Sequence, residues 1–328
     1  MWIKKESRMF KYSIIVPTYN AEKFIIKCAE SLKNQNFKDY EVLFINDGST
    51  DDTLNILNNY IKNNKLDNFK VITKKNEGVS SSRNYGIKHA KGEFLLAVDS
   101  DDFVSEDFLT KIDEAVNEDV DILIFSFYEY FNDDNKRKKI GISSSCENIK
   151  RNAMISAPAQ WNKAIRRELF IKNNIFFPEG LIYEDLGTIP KLYLLTDKIK
   201  FIDEYIYYYR QQENSIMHTF NEKIFNIYPI LENLKDYYDK NDIKKLYTNE
   251  LEKIFIYNTF FIVNTLGCVK FKQKLRYQND SIKFLNKIYP KWYRNTYLKN
   301  EKFKTRLHIL IMKYNFLLSI YNLIRGII

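Results

Sequence analysis

The sequence predicts an α/β protein whose mostly parallel sheet is flanked by helices and followed by a mainly helical C-terminal module. Short apolar runs alternate with segments of helical spacing over residues 11–127. These runs are almost continuously apolar, which is typical of parallel strands buried on both faces. The last hundred residues, in contrast, contain helical spacing only.

Each element of the first half follows from its own pattern. Runs rich in β-branched and aromatic residues predict strands at 11–17, 40–47, 69–73, 93–99 and 120–127. The segments between them predict helices at 21–35, 51–63, 79–90 and 105–117. Ligands of open parallel sheets bind beyond the carboxyl ends of the strands, which is where the unusual polar residues of this chain collect.

The C-terminal module is helical and basic. Helical spacing predicts helices at 222–239, 243–266, 279–292 and 305–328. The last of these is apolar on all faces, so we expect it to be buried in a bundle, in an oligomer or at a membrane interface. Residues 221–328 hold 20 Lys and Arg against 9 Asp and Glu, a charge of +11 in a chain of net charge +9. This excess indicates either a solvated Lys-rich face or contact with an anionic surface, with anionic lipid more attractive than nucleic acid.

Composition and missing motifs exclude several classes of protein. Three scattered cysteines are too few for a disulfide framework or a Cys-type zinc site, so we expect a reducing compartment. Neither G-x-G-x-x-G after the first strand nor a P-loop motif is present, which disfavours dinucleotide and P-loop sites. The charged start of the chain lacks a signal-peptide core, and no apolar run is long enough to span a membrane. We therefore expect a cytoplasmic protein.

Three carboxylates follow directly on the apolar run of the fourth strand. In an extended segment Asp99 and Asp101 lie on the same side, and like charges at this spacing repel unless something neutralises them. Mg²⁺ and Mn²⁺ prefer oxygen ligands and are commonly held by one or two carboxylates plus substrate phosphates. The cluster therefore predicts a metal clamp for a nucleotide diphosphate; an acidic start of the next helix is the alternative.

Two further strand ends carry polar residues with a chemical rationale. Ser49 to Asp52 are expected to cap the following helix, which leaves Asp47 free to accept a hydrogen bond from a uracil imide. If Ser80 or Ser81 caps the third helix, Arg83 falls in its first turn, where a cation opposes the helix dipole. Arg83 is therefore expected to bind a phosphate or a carboxylate.

Four motifs in order, IIVPTYN, NDGSTDDT, NEGVSSSRN and DSDD, resemble the N-terminal half of the family 2 inverting glycosyltransferases, which have the GT-A fold. The resemblance implies a uridine pocket lined by Pro17, Thr18 and Asn20, with Asp47 at the uracil. It implies that the rest of the nucleotide-sugar site comprises Glu77, Arg83, Asp99 and Ser100. It also implies a metal site in which Asp101 is the principal ligand and Asp99 approaches the ribose or the cation.

Residues 157–218 are similar to the acceptor side of bacterial polysaccharide and glycoprotein members of the family. The resemblance makes Asp185 the catalytic base, with Glu184 and Trp161 at the acceptor. It places Arg210 against the leaving-group charge and His218 near the metal. Capping of a helix is the alternative for Glu184 and Asp185, and filling of the core is the alternative for Trp161.

These observations together predict an Mn²⁺- or Mg²⁺-dependent enzyme that moves a hexose or N-acetylhexosamine from a UDP-sugar to a glycan hydroxyl with inversion. The acceptor is expected to be lipid-linked or protein-linked, in bacterial surface polysaccharide or glycoprotein glycan synthesis, with no nucleic acid involved. A non-catalytic sugar- or polymer-binding subunit and a sugar nucleotidyltransferase are the alternatives.

We expect residues 1–220 to form the catalytic domain, with a nucleotide-sugar half at 11–127 and an acceptor half at 128–220. Residues 132–152 are expected to be a mobile loop at the cleft. The helical module, residues 221–328, is the candidate for peripheral contact with the inner face of the cell membrane or for oligomer formation.

Overall fold

The computed structural model describes residues 10–131, 136–141, 148–211, 222–241, 244–265 and 271–314. The described strands are β1 Phe10–Thr18, β2 Tyr40–Asn46, β3 Phe69–Thr73, β4 Gly92–Ala97, β5 Phe103–Val104, β6 Ile122–Phe131, β7 Lys136–Ile140, β8 Lys163–Arg166 and β9 Ile199–Gln211. The described α-helices are α1 Ile25–Lys33, α2 Thr53–Asn64, α3 Val79–His89, α4 Phe108–Ala115, α5 Ile149–Ile155, α6 Arg167–Lys172, α7 Glu184–Leu194, α8 Ile227–Lys240, α9 Lys244–Thr265, α10 Phe271–Ile288 and α11 Phe303–Lys313.

The strands form one mixed sheet in the order β3-β2-β1-β4-β8-β6-β9-β5, with β7 paired to β6. The half from β3 to β4 is strictly parallel, as expected for buried strands joined through helices. Beyond β4 the sheet is mixed, because β8 runs antiparallel to both β4 and β6 while β9 is parallel to β6. The predicted α/β fold is confirmed, and its parallel part is confined to the first four strands.

The core of the sheet is built from the runs that predicted the strands. Every residue of β2 is buried, as are Tyr12, Ile14 and Val16 on β1. Close packing of β1 against β4 also limits which residue can occupy position 92. A Cβ added to Gly92 would lie 2.4 Å from the backbone nitrogen of Ser13, so this position admits only glycine without movement of the backbone.

Several expected boundaries differ from the structure. Within the polar stretch expected to be a mobile loop at 132–152, the described residues include β7, which forms a hairpin with β6, and the start of α5. The helix expected at 279–292 is α10, which begins eight residues earlier, at Phe271. Of the last expected helix, α11 covers only the first part, and residues 315–328 lie outside the described residues.

The described residues fall into two compact units, one within 1–153 and 157–212 and the other within 154–156 and 213–328. The second unit contains α8 to α11, whose core includes Tyr238, Phe255, Leu285 and Trp292. Not one of the described helices combines the length and the hydropathy that crossing a membrane would require.

Candidate active site

The carboxyl ends of β1 and β2 are joined through Asn20, which has the left-handed backbone conformation that asparagine tolerates (φ +47°). Its backbone N–H donates to Ser49 Oγ at 3.1 Å, and its Oδ1 accepts from the backbone N–H of Thr50 at 2.8 Å. Ser49 and Thr50 thus bind Asn20 instead of capping α2. Asp51 is the residue whose carboxylate accepts from the first amide of that helix, at Thr53. The cap expected from Ser49 to Asp52 therefore reduces to Asp51.

Asp47, one residue beyond β2, is buried and already holds the loop after β3. Its Oδ1 accepts from Lys74 Nζ at 2.6 Å and from the backbone N–H of Glu77 at 3.0 Å. Its Oδ2 accepts from the backbone N–H of Gly78 at 2.7 Å. Three of about four acceptor positions of the carboxylate are thus occupied by the protein, which leaves one that a uracil N–H can use. The sequence suggested no role for Lys74.

Two residues expected to line the uridine pocket are buried at the end of β1. Pro17 is paired with Ile45 of β2. Thr18 is 1% exposed, and its hydroxyl donates to the carbonyl of Val16 at 2.9 Å. Their side chains therefore pack at the strand end, whereas Asn20 and Glu77 are exposed at the same edge.

Helix α3 begins two residues earlier than a cap at Ser80 requires, because Gly78 occupies the N-cap with φ +92°. Ser80 and Ser81 are therefore inside the helix, and Arg83 is its fifth residue, in the second turn rather than the first. The dipole argument for Arg83 is correspondingly weaker. Its expected role nevertheless stands on contacts, since the side chain is 4% exposed and meets carboxylates.

The guanidinium of Arg83 joins the two halves of the first unit. It donates to Glu184 Oε1 at 2.6 Å, to Asp185 Oδ1 at 3.0 Å and to Asp99 Oδ1 at 3.2 Å. Burial by itself would lower the pKa of Arg83, but the attraction of Asp185, Asp99 and Glu184 outweighs it and raises that pKa. Among the described residues, its buried Nε has no hydrogen-bond partner, so one donor remains for a ligand.

Asp185 lies in the first turn of α7, a helix that begins directly after a residue with an unusual backbone conformation. Tyr183 precedes the helix with φ +69°, a left-handed conformation that is costly for a residue with a bulky side chain. Asp185 Oδ2 accepts from the backbone N–H of Gln160 at 3.1 Å. Burial raises the pKa of Asp185 to about 6, with Arg83 opposing the rise and Glu184 and Asp99 adding to it. A carboxylate with this pKa is a competent general base near neutral pH.

A buried lysine supports the segment that meets this base. Lys163, at the start of β8, is 0% exposed, and its ammonium donates to the carbonyl of Ala159 at 2.5 Å and to Asn162 Oδ1 at 2.7 Å. Burial lowers the pKa of Lys163 to about 7, and Asp185 opposes that shift. Lys163 therefore anchors the chain beside Gln160, whose backbone N–H contacts the base and whose buried Oε1 has no partner among the described residues.

The acid cluster after β4 is divided between a buried anchor and two more accessible carboxylates. Asp102 is 1% exposed and accepts from Tyr207 Oη at 2.6 Å and from the backbone N–H of Arg210 at 2.7 Å. Tyr207 Oη in turn accepts from the backbone N–H of Asp99 at 3.2 Å. Burial, followed by Asp101 and Asp99, raises the pKa of Asp102. Strand β9 thereby holds the loop that carries Asp99, Ser100 and Asp101, all three of which are partly exposed.

The chemistry of this loop fits a divalent cation that shares its ligands with a diphosphate. Asp99 and Asp101 offer carboxylate oxygens, and one or two carboxylates plus substrate phosphates is a common way to hold Mg²⁺. Within the described ranges, no three side chains of His, Cys, Asp or Glu form a ready-made metal cage. The expected third ligand, His218, lies outside the described residues.

The structure shows contacts of Arg210 and Trp161 that the sequence did not predict. Arg210 is 7% exposed, and its Nε donates to the backbone carbonyl of Asp101 at 2.6 Å, so it braces the acid loop from β9. Trp161 is half-buried and stacks on Tyr207 and Tyr209, with ring centroids 4.8 and 5.1 Å apart. Its contact with the hydrophobic core agrees with the alternative of core filling, and one part of the ring remains accessible.

Comparisons with known proteins show the family to which the chain belongs. The family model described as "Glycosyl transferase family 2" matches residues 13–180. The chain is 28% identical over 280 residues to the putative glycosyltransferase EpsH of Bacillus subtilis (strain 168), and the match covers 80% of each chain. It is 31% identical over 224 residues to the glycosyltransferase GlyG of Streptococcus pneumoniae serotype 4, covering 63% of this chain and 73% of GlyG.

A solved structure extends the likeness beyond the residues that the family model matches. The crystal structure of S. aureus TarS 1–349 in complex with UDP-GlcNAc matches with a TM-score of 0.75 and 25% identity. The match covers 95% of this chain and 89% of that chain. The fold predicted from the four motifs is therefore found again in a structure that binds a UDP-sugar.

Proposed function

The chain belongs to glycosyl transferase family 2, and from this premise we propose that it is a metal-dependent, inverting enzyme that transfers a hexose or N-acetylhexosamine from a UDP-sugar to a glycan hydroxyl. One observation carries the proposal: the guanidinium of Arg83 bridges Asp99, after a donor-side strand, and Asp185, on α7. This contact supports a donor site and a catalytic base that lie next to each other.

The donor is bound at the carboxyl edge of β1, β2 and β4. Asn20 and Glu77 are exposed there, and Asp47 retains an acceptor position for the uracil N–H. The free Nε of Arg83 is available to the donor, and Ser100 lies on the accessible acid loop. The UDP-GlcNAc bound to TarS supports a uridine donor and an N-acetylhexosamine as one of its sugars.

Asp99 and Asp101 are the residues that would hold Mn²⁺ or Mg²⁺, with His218 as a further candidate ligand. Such an ion, when bound, withdraws charge from the diphosphate as it departs. Arg210 lies against the same loop through Asp101, so its positive charge acts in the same direction. The buried pair of Asp102 and Tyr207 keeps the loop in place.

Asp185 acts as the base in a single displacement. The acceptor hydroxyl attacks the anomeric carbon, the bond from that carbon to the diphosphate oxygen breaks, and the hydroxyl proton passes to Asp185. Because attack comes from the face opposite the diphosphate, the product has inverted configuration. Glu184, beside the base, and the accessible part of Trp161 are the proposed acceptor contacts.

The acceptor and the cellular location follow from the same reasoning. A lipid-linked or protein-linked glycan is the proposed acceptor. Its bacterial setting is supported by the relatives, which are described as the putative glycosyltransferase EpsH, the glycosyltransferase GlyG and the poly(ribitol-phosphate) beta-N-acetylglucosaminyltransferase TarS. We assign catalysis to residues 1–220, with donor binding at 11–127 and acceptor binding at 128–220. The basic module, 221–328, is assigned to contact with the cytoplasmic face of the membrane or with a second copy of the chain.

Release of UDP in the presence of Mn²⁺ tests the proposal, first with UDP-GlcNAc and then with UDP-hexoses and a glycan acceptor. Asp101→Ala is expected to abolish metal-dependent donor binding, measured by calorimetry. Asp185→Asn is expected to retain donor binding while the transfer rate falls about 10²- to 10⁴-fold, the usual contribution of a general base. Unchanged transfer by Asp185→Asn contradicts the assigned base, and donor binding without any turnover by the native chain favours a sugar-binding subunit.

A further inference from the structure

A pocket of about 220 Å³ lies in the second unit, between α11 and two 3-10 helices, Trp292–Arg294 and Thr296–Asn300. Its wall carries four cations, and its floor is formed by the buried side chains of Leu298 and Ile309; the cations are Arg294, Lys299, Arg306 and Lys313. No Asp or Glu is among the lining residues. We propose that this basic pocket binds the phosphate of an anionic lipid headgroup and thereby holds the protein at a membrane surface.

Within the part of the chain that the structure describes, none of the four cations of the basic pocket forms an ion pair. Among the described residues, the ion pairs within this unit join Lys235 to Asp239 and Arg276 to Asp280 instead. Lys313 Nζ rests 4.0 Å from the ring centroid of Tyr293, which orients one charge without neutralising it. Like charges gathered around one small cavity repel one another, and an anion in the cavity relieves that repulsion. The basic pocket is therefore complementary to a phosphate group.

A stripe of exposed apolar side chains on α11 indicates where such a phosphate comes from. Phe303 is 78% exposed and Leu307 is 45% exposed, and Tyr314, just beyond the helix, is 48% exposed. At about 100° per residue, Phe303 and Leu307 share one face, while Arg306 and Lys313 lie about 60 to 120° around the helix. An apolar stripe beside a cationic face is the arrangement by which surface helices enter the headgroup region of a bilayer.

This combination favours a lipid over a free phosphate. Inorganic phosphate has no apolar part that could contact the exposed Phe303 and Leu307. A lipid, in contrast, places its headgroup in the basic pocket and its acyl region against these two side chains. The excess of +11 over residues 221–328 adds long-range attraction to an anionic bilayer. The inference rests on the membrane contact proposed above for residues 221–328 and names the site and the ligand of that contact. Binding at this pocket requires no sugar transfer, so vesicle binding and UDP release test the two proposals separately.

Co-sedimentation of the full chain with vesicles tests the inference. The vesicles contain phosphatidylcholine alone or phosphatidylcholine with phosphatidylglycerol, at physiological salt. The pocket variant Arg306→Gln/Lys313→Gln is compared with Lys283→Gln/Lys287→Gln, which removes the same charge from exposed positions on α10. Circular dichroism confirms that both variants are folded. A third variant, Leu307→Gln, tests the apolar stripe.

We expect binding to anionic vesicles only, with an affinity about 30-fold lower in the pocket variant, since each basic residue near the surface contributes about 1 kcal/mol. The α10 variant should lose clearly less affinity, and Leu307→Gln should also weaken vesicle binding. Equal losses in the pocket and α10 variants overturn the inference, because they reveal general charge attraction. It is also overturned if the chain does not bind anionic vesicles. In that case, binding of inorganic phosphate that Leu307→Gln leaves intact would identify a site for free phosphate. Tighter binding to single-stranded RNA than to vesicles also overturns the inference.

Discussion

Replacing Arg83 by methionine removes the cation that three carboxylates share. Its guanidinium lies 2.6 Å from Glu184, 3.0 Å from Asp185 and 3.2 Å from Asp99, and the arginine side chain is 4% exposed. Breaking a buried ion pair by removing one partner costs about 3–5 kcal/mol, because the remaining charge is left buried and unpaired. The three carboxylates keep 15 to 28% of their surface exposed, so partial hydration places the expected loss near the lower value, about 3 kcal/mol.

The loss should also depend on pH in a defined direction. Arg83 opposes the rise that burial imposes on the pKa of Asp185, so without Arg83 the folded-state pKa of Asp185 lies further above its unfolded value. Folding then favours the protonated forms, so the stability of the variant increases as the pH falls from 7.5 to 5. The difference in unfolding free energy between native chain and variant should therefore shrink over this range.

Urea denaturation followed by circular dichroism at pH 7.5 and pH 5 measures this difference. Arg166→Met is a matched control, since Arg166 also pairs with two carboxylates, Asp121 and Glu93, but is 20% exposed. It should lose less stability and retain transfer activity, whereas Arg83→Met should lose both. A loss below about 1 kcal/mol for Arg83→Met, or a loss that is the same at both pH values, refutes the assignment of Arg83 as the shared counter-ion.

Three further predictions concern the base, its support and the packing of the sheet. Because the pKa of Asp185 is raised to about 6 and only its ionised form accepts a proton, kcat should fall as the pH drops through 6; a flat profile between pH 5 and 7.5 contradicts this. Lys163→Met removes a cation near Asp185, so the midpoint of the pH profile of kcat should rise. We also expect kcat to fall roughly 10- to 100-fold while the KM for the donor stays constant. A change in KM alone would indicate a different role for Lys163. Gly92→Ala should destabilise the fold by about 1–3 kcal/mol in urea, since the added methyl meets the backbone at Ser13; wild-type stability would show that the strands can separate there.

Local chemistry drew attention to two parts of the candidate site. The run into Asp99 and Asp101 identified the acid loop, because a buried strand that ends in carboxylates is unusual in any context. Arg83 was expected to bind a phosphate or a carboxylate, and the structure brings it to carboxylates. The helix caps expected from Ser49 and Ser80 were wrong. Ser49 accepts a hydrogen bond from Asn20, and Ser80 lies inside α3, whose N-cap is Gly78.

Other functional contacts are made between residues far apart in the chain. Lys163 stands in a strand of four residues that carries a cation at each end, so neither its burial nor the existence of β8 follows from periodicity. Tyr207 is one of several tyrosines in β9, and its full burial and its hydrogen bonds with Asp102 and Asp99 distinguish it from its neighbours. In the sequence, the only hints of these contacts were Asp102, the third acid of the cluster, and Lys163, a lysine next to apolar residues.

Side-chain patterns along the sequence predicted the alternation of strands and helices, the parallel half of the sheet and the four motifs at its strand ends. Those features depend on side-chain periodicity and on residue types within short windows, where neighbours along the chain are also neighbours in space. Only the tertiary structure decided that β8 inserts antiparallel between β4 and β6, and that Arg83 meets Asp185 across 102 positions of the chain. The pKa of Asp185 likewise depends on burial and on charges gathered from distant segments, because electrostatic energy follows distance in space and not separation in sequence.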